Sequence, residues 1–113
     1  MRAVLFLLLV GCSAEPSDTA EACADAPELT YENWGEGFLT ENCQSCHAST
    51  TDNRYSAPES VIFDTVEDAW SWRERILARA IDKDPSPMPP AGGVLEDDLQ
   101  RLVWWFECAE EGS

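Results

Sequence analysis

Cys43-Gln44-Ser45-Cys46-His47 sets two thiols three positions apart and an imidazole directly after the second. That order suits covalent attachment of a c-type haem: the two sulfurs add to the two vinyl groups of a porphyrin, and the adjoining imidazole ligates the iron. His47 is the sole histidine of the chain, so an iron bound here has a single candidate for its proximal ligand. A CxxC pair also serves as half of a zinc site or as a redox dithiol. Zinc would need two further ligands at metal spacing, whereas Cys12, Cys23 and Cys108 are scattered singly. A thioredoxin-like dithiol belongs in a strand-to-helix turn, and no valine- and isoleucine-rich strand precedes Cys43, only the helical-looking stretch Thr30 to Asn42.

A second chemical feature is Pro85-Ser86-Pro87-Met88-Pro89-Pro90. Each proline fixes its own φ, and Pro89 pushes Met88 out of the α region, so the segment is a stiff loop presenting one thioether. Met88 is the only methionine besides Met1. A thioether opposite an imidazole is the axial pair that raises the potential of electron-transfer haems, and Met88 is the expected sixth ligand. The plain alternative is a methionine filling a gap in a proline-rich turn. Arg54 is the only cation of the loop Ala48 to Ser60. It has two readings, a charge-assisted partner for a haem propionate or a solvated arginine among acids.

The elements that position these residues read as helices. Thr30 is a candidate N-cap, with Glu32 in the first turn. Tyr31, Trp34, Gly35, Phe38 and Leu39 then fall at i, i+3, i+4, i+7 and i+8, one face of a helix. Gly35 sits on that face at a cost of about 1 kcal/mol relative to alanine. Either another helix approaches closely there, or Gly35 and Gly37 loosen the helix. Ala48 to Ser60, rich in Ser, Thr, Asp and Asn, reads as loop. Thr65-Val66-Glu67-Asp68 approximates a capping box for a second helix, whose stripe runs Val66, Ala69, Trp70, Arg73, Ile76, Leu77, Ala80 and Ile81. The last helix is expected from near Val94, after the Gly92-Gly93 turn, with Glu96, Asp97 and Asp98 in its first turn. Its apolar face carries Leu99, Leu102, Val103, Trp105 and Phe106, while Trp104 lies off that face, at the surface or under the N-terminal segment. The fold class is all-α.

The N-terminus has Arg2, an apolar run from Ala3 to Val10, and Gly11-Cys12, the form of a secretory signal. Leu9-Val10-Gly11-Cys12 resembles a bacterial lipobox, which implies cleavage before Cys12 and lipidation of that residue. The other option is an ordinary signal cut later, after Ala14. The run is too short to span a bilayer, which takes roughly 20 apolar residues. Residues 1–11 are therefore assigned to a lipoprotein signal, 12–27 to a lipid-anchored acidic tether and 28–113 to one small domain. A domain of that size commonly needs a staple, and a covalent haem would be one. With Cys12 lipidated and Cys43 and Cys46 in thioethers, Cys23 and Cys108 remain. In an exported, oxidising compartment they are expected to pair, tying the N-terminal segment to the last helix, unless both stay free. With 22 acidic residues against seven basic ones and a formal net charge of −15, nucleic acid is not a plausible partner.

From about Tyr31 to Cys108 the chain resembles a single-haem class I cytochrome c, more narrowly the small acidic cytochrome-like lipoproteins of bacteria. The resemblance is carried by a helix with Gly35, the CQSCH segment, a loop, a second helix, Met88 in its proline-rich loop, and a last helix of the form Leu99-x-x-Leu102-Val103-x-Trp105-Phe106. It implies a cytochrome c fold, three main helices wrapped around one covalently attached haem c. The first and last helices would cross at Gly35 with Trp105 packed against it. Cys43 and Cys46 would hold the haem, and His47 and Met88 would ligate the iron. The implied role is a periplasmic electron carrier, held to the inner or outer membrane by N-terminal lipid, rather than an enzyme. The resemblance supplies no partners; the acidic charge of the chain, net −15, points to redox proteins with basic docking surfaces. Without Met88 on the iron, the alternative is a haem peroxidase or ligand sensor with an open sixth position, though no second histidine or distal acid–base constellation supports it.

Overall fold

The computed structural model of the chain describes Gly11 and residues 21–113. Among them every regular element is helical and there is no strand, so the described part of the chain is all-α. No helix among these residues is long and apolar enough to cross a membrane. The signal segment (Gly11 apart), the lipidation site Cys12 and the tether up to Ala20 lie outside the described residues.

Thr30 opens the first helical stretch. Its hydroxyl accepts the N–H of Asn33 at 3.1 Å, while Asn33 Oδ1 accepts the N–H of Thr30 at 2.8 Å, a closed capping box. The N-cap is the expected one. The residue that completes it is Asn33, whose amide also donates to the Glu28 carbonyl at 2.8 Å. α1 (Tyr31–Gly35) is a wide π-helical turn that runs directly into α2 (Glu36–Asn42). The chain then breaks at Cys43 (φ −126°, ψ −37°) and resumes as the single turn α3 (Gln44–His47).

Thr65 caps the second helical stretch by the same device, with Asp68 as its partner in both directions. The apolar stripe from Val66 to Ile81 suggests one helix, but three segments are found: α4 (Val66–Ser71), α5 (Arg73–Leu77) and a π-helical turn α6 (Ala78–Asp82). Two side chains compete for the ladder at the first break. Ser71 Oγ donates to the Asp68 carbonyl at 2.8 Å, and Arg73 Nη1 donates to the Trp70 carbonyl at 2.9 Å. A hydroxyl turned back on its own helix in this way bends it, and Trp72 sits at the bend with φ −96° and ψ 2°. Lys83 ends α6 in the left-handed region, φ 58°.

α7 (Glu96–Cys108) starts two residues later than Val94. Gly92 and Gly93 have φ of 69° and 87°, a turn open to residues without a Cβ, and Leu95 after it is still extended at ψ 142°. Three acids, Glu96, Asp97 and Asp98, then occupy the first turn, where the helix dipole favours them.

α2, α4, α5 and α7, with Leu29 and Phe63 from the connecting segments, build one core of Leu29, Phe38, Leu39, Phe63, Ala69, Trp70, Ile76, Leu102, Trp105 and Phe106, against which Tyr31 and Trp34 of α1 pack. Trp105 and Leu102 are wholly shielded from solvent, and burying each such side chain stabilises by about 1.5–3 kcal/mol. Trp105 is the hub. Trp70 and Trp34 meet it edge to face at 6.0 and 6.1 Å between ring centroids, and Phe106 stacks on it at 4.5 Å. Trp105 Nε1 and Trp70 Nε1 both donate to the carbonyl oxygen of Ser113, each at 3.0 Å.

Glu21–Pro27, assigned above to the tether, is fastened to this core. Trp104 Nε1 donates to the Ala22 carbonyl at 3.2 Å, so Trp104 lies under the N-terminal segment. One residue on, the sulfurs of Cys23 and Cys108 are at bonding distance, 1.99 Å, with Cα atoms 5.5 Å apart.

Candidate functional site

Cys43, Cys46 and His47 come from the break after α2 and the single turn of α3, so one short hydrogen-bonded unit carries both thiols and the imidazole. The N–H of Cys43 donates to the Leu39 carbonyl at 2.8 Å. The Cys43 carbonyl in turn accepts from Cys46 and His47 at 3.2 and 3.0 Å. Cys43 packs against the core. Burial, and then the neighbouring Cys46, push its thiol pKa up to about 12, so near neutral pH this sulfur is a neutral thiol. Both cysteines are free, while Cys23 and Cys108 are joined to each other. The pair is thus not available to complete a four-thiolate zinc site. Among the described residues no three His, Cys, Asp or Glu side chains gather as a metal-binding group.

The loop after His47 folds back onto it. The His47 carbonyl accepts the N–H of Phe63 at 3.0 Å, and the two rings lie 4.8 Å apart. His47 Nδ1 is 2.9 Å from the Val61 carbonyl oxygen. Because a carbonyl only accepts, Nδ1 is the donor, and in the neutral ring the lone pair is therefore on Nε2. This is how a metal-ligating histidine is commonly oriented, one nitrogen tied to a backbone oxygen and the other left to bind. Gln44 reaches the same strip, donating from Nε2 to the Phe63 carbonyl at 2.7 Å, while its buried Oε1 has no partner.

Arg54 holds the loop in shape. Nη1 donates to the Ala48 carbonyl at 2.9 Å, Nη2 to those of Pro58 at 3.0 Å and Val61 at 3.3 Å, and Nε to that of Ala57 at 3.4 Å. Four of its five N–H groups are committed to backbone, which leaves one Nη1 hydrogen for any other acceptor. The turn that lets the loop wrap around the guanidinium passes through Tyr55 and Ser56, both at positive φ. Asn53 Oδ1 accepts the N–H of Tyr55 at 3.0 Å to close it. Further hydrogen bonds run from Thr51 Oγ1 to the Ser45 carbonyl at 2.8 Å and from the Ser49 N–H to Asp64 Oδ1 at 3.0 Å.

Met88 is half-buried and is not among the side chains packed against the core. Its loop hangs from the end of the second helical stretch. The Met88 N–H donates to the Arg79 carbonyl at 3.1 Å, and Arg79 Nη1 donates to Ser86 Oγ at 2.6 Å. Gly35 and Trp105 are in direct contact at the crossing of α1 and α7: a Cβ placed on Gly35 would lie 2.5 Å from Trp105 Cη2.

The backbone acceptor for His47 is not legible in the sequence. A carbonyl has no residue signature, so nothing at position 61 announced it. Arg79, which ties down the Met88 loop, is a further residue that the sequence did not single out. No family model, curated protein or solved structure matches the chain.

Proposed function

We propose that this chain is an exported, lipid-anchored electron carrier with one c-type haem. The observation that carries the proposal is the His47 ring, whose Nδ1 is held by the Val61 carbonyl at 2.9 Å beside two free thiols on the same turn. The donor set fits the group: Cys43 and Cys46 would hold it through thioethers, and Nε2 of His47 and the thioether of Met88 would ligate the metal. A bound haem supplies a one-electron iron couple. The protein's own share is to fix the imidazole, to line one side with Phe63 and Val61, and to keep the Met88 loop tied to Arg79. An acid-rich surface, net −15, attracts basic redox partners at a rate that falls as salt screens it.

The protein matured in a host competent for haem attachment should stain for haem on a denaturing gel and lose the stain in Cys43→Ala and Cys46→Ala. A colourless product overturns the proposal. A second reading, a ligand sensor or peroxidase with an open sixth position, draws on the separation of Met88 from the packed core. The weak near-infrared thioether–iron band of the oxidised protein separates the two, since it is present and abolished by Met88→Ala only in the carrier.

A further inference from the structure

We propose that Arg54 is a positioning residue that sets how strongly His47 donates to a bound iron, through the Val61 carbonyl that both side chains share. This rests on the haem proposal above. The Val61 oxygen lies 2.9 Å from His47 Nδ1 and accepts from Arg54 Nη2 at 3.3 Å. Its two lone pairs accommodate both donors.

The consequence follows from competition for one acceptor. A carbonyl alone draws on the Nδ1 proton and makes the imidazole a stronger base toward metal at Nε2. A guanidinium donating to the same oxygen lowers its capacity to accept, so the Nδ1–H···O bond weakens and the imidazole donates less. A less basic axial nitrogen favours reduced over oxidised iron and raises the reduction potential. The guanidinium also holds the carbonyl of Ala48, the residue after His47, at 2.9 Å. It therefore bridges the two ends of the loop that returns Val61 to the ring.

An arginine is specifically required. Reaching the Ala48, Ala57, Pro58 and Val61 carbonyls at once takes a planar fork of five donors, whereas an ammonium is a point charge with three. Lysine at position 54 therefore keeps the cation but not the shared hydrogen bond, which separates this role from simple charge. A structural role alone predicts lost stability with no change at the ligand.

The test compares the haem-loaded parent with Arg54→Lys and Arg54→Gln. Midpoint potentials, the His47 Nδ1–H proton resonance of the reduced protein and thermal unfolding are measured on each. Both variants should show a lower potential and a downfield-shifted Nδ1–H resonance, with Arg54→Lys following Arg54→Gln rather than the parent. A parental potential and resonance in Arg54→Lys would reduce the role to charge and overturn the proposal. Lower unfolding temperatures with both ligand readouts unmoved would reduce it to loop packing and also overturn it. Should neither variant fold, the parent decides alone. Slowly exchanging Arg54 Nη2 protons with cross-peaks to the His47 Nδ1 proton support the shared carbonyl, and free exchange with water rejects it. A colourless parent signals instead that the haem proposal has failed.

Discussion

Gly35 and Trp105 touch at a point where only hydrogen fits on the glycine side. A Cβ on Gly35 would lie 2.5 Å from Cη2, 2.6 Å from Cζ2 and 2.9 Å from Cζ3 of the indole. The contact falls at the end of the π turn α1, directly before α2 leads to Cys43. How closely the first and last helices approach at this point is therefore set by one pair of residues.

Gly35→Ala should destabilise the fold by about 1–3 kcal/mol, the usual cost of overpacking, although alanine alone would favour the helix by about 1 kcal/mol. The ring cannot step aside. It is wholly buried, pinned through Nε1 to the Ser113 oxygen, and boxed by Trp34, Trp70 and Phe106. Urea unfolding of the two proteins measures the difference, and a variant more stable than the parent would show that the helices separate without loss.

Ending the chain at Glu111 should cost more than loss of exposed Gly112 and half-buried Ser113 suggests. The indole N–H groups of Trp70 and Trp105 both depend on the Ser113 oxygen, and each sits on a side chain at most 5% exposed. A buried donor without a partner costs about 1–3 kcal/mol. Denaturant midpoints and the fluorescence of the two indoles should shift together. Unchanged values would mean that other acceptors replace the lost oxygen.

The sequence carried the helical layout where its physics is local. Thr30 and Thr65 are caps because a hydroxyl beside a helix start has few other uses, and the apolar spacing of Tyr31 to Leu39 marks a buried face. The break at Trp72 was not legible, since it depends on Ser71 and Arg73 turning back on carbonyls that a linear pattern treats as occupied by the ladder. The site divides in the same way. Cys43, Cys46 and His47 announce themselves by spacing, whereas the Val61 oxygen that orients the ring and the four carbonyls that gather on Arg54 are products of loop closure.

That closure should weaken in acid. Hydrogen bonds from Ser49 hold the Asp64 carboxyl below the ordinary aspartate range against a weaker opposing effect of desolvation, and the Arg54 charge adds the smallest contribution in the same direction as Ser49. A carboxylate whose pKa is lowered by folding contributes stability above its unfolded value, near 3.9, and loses it as pH falls through the folded value. The Ser49 amide should therefore exchange faster as the pH drops below about 4. Asp64→Asn should abolish that acid step. An exchange rate with no acid step beyond intrinsic chemistry in the parent would show that Asp64 does not hold the loop.

Reduction of the Cys23–Cys108 bond should have the largest effect on stability. The bond joins residues 85 apart in sequence, and in the chain-entropy model closing so long a loop stabilises by about 4 kcal/mol. It also carries local consequences, because Cys23 is adjacent to Ala22, whose carbonyl accepts from Trp104 Nε1. Cys23→Ser with Cys108→Ser should lower the unfolding free energy by about 2–5 kcal/mol and free the N-terminal segment from α7. Added reductant should reproduce the loss in the parent and do nothing further to the double variant. A double variant as stable as the oxidised parent would mean that Trp104 and the apolar core hold the two ends together without the covalent link.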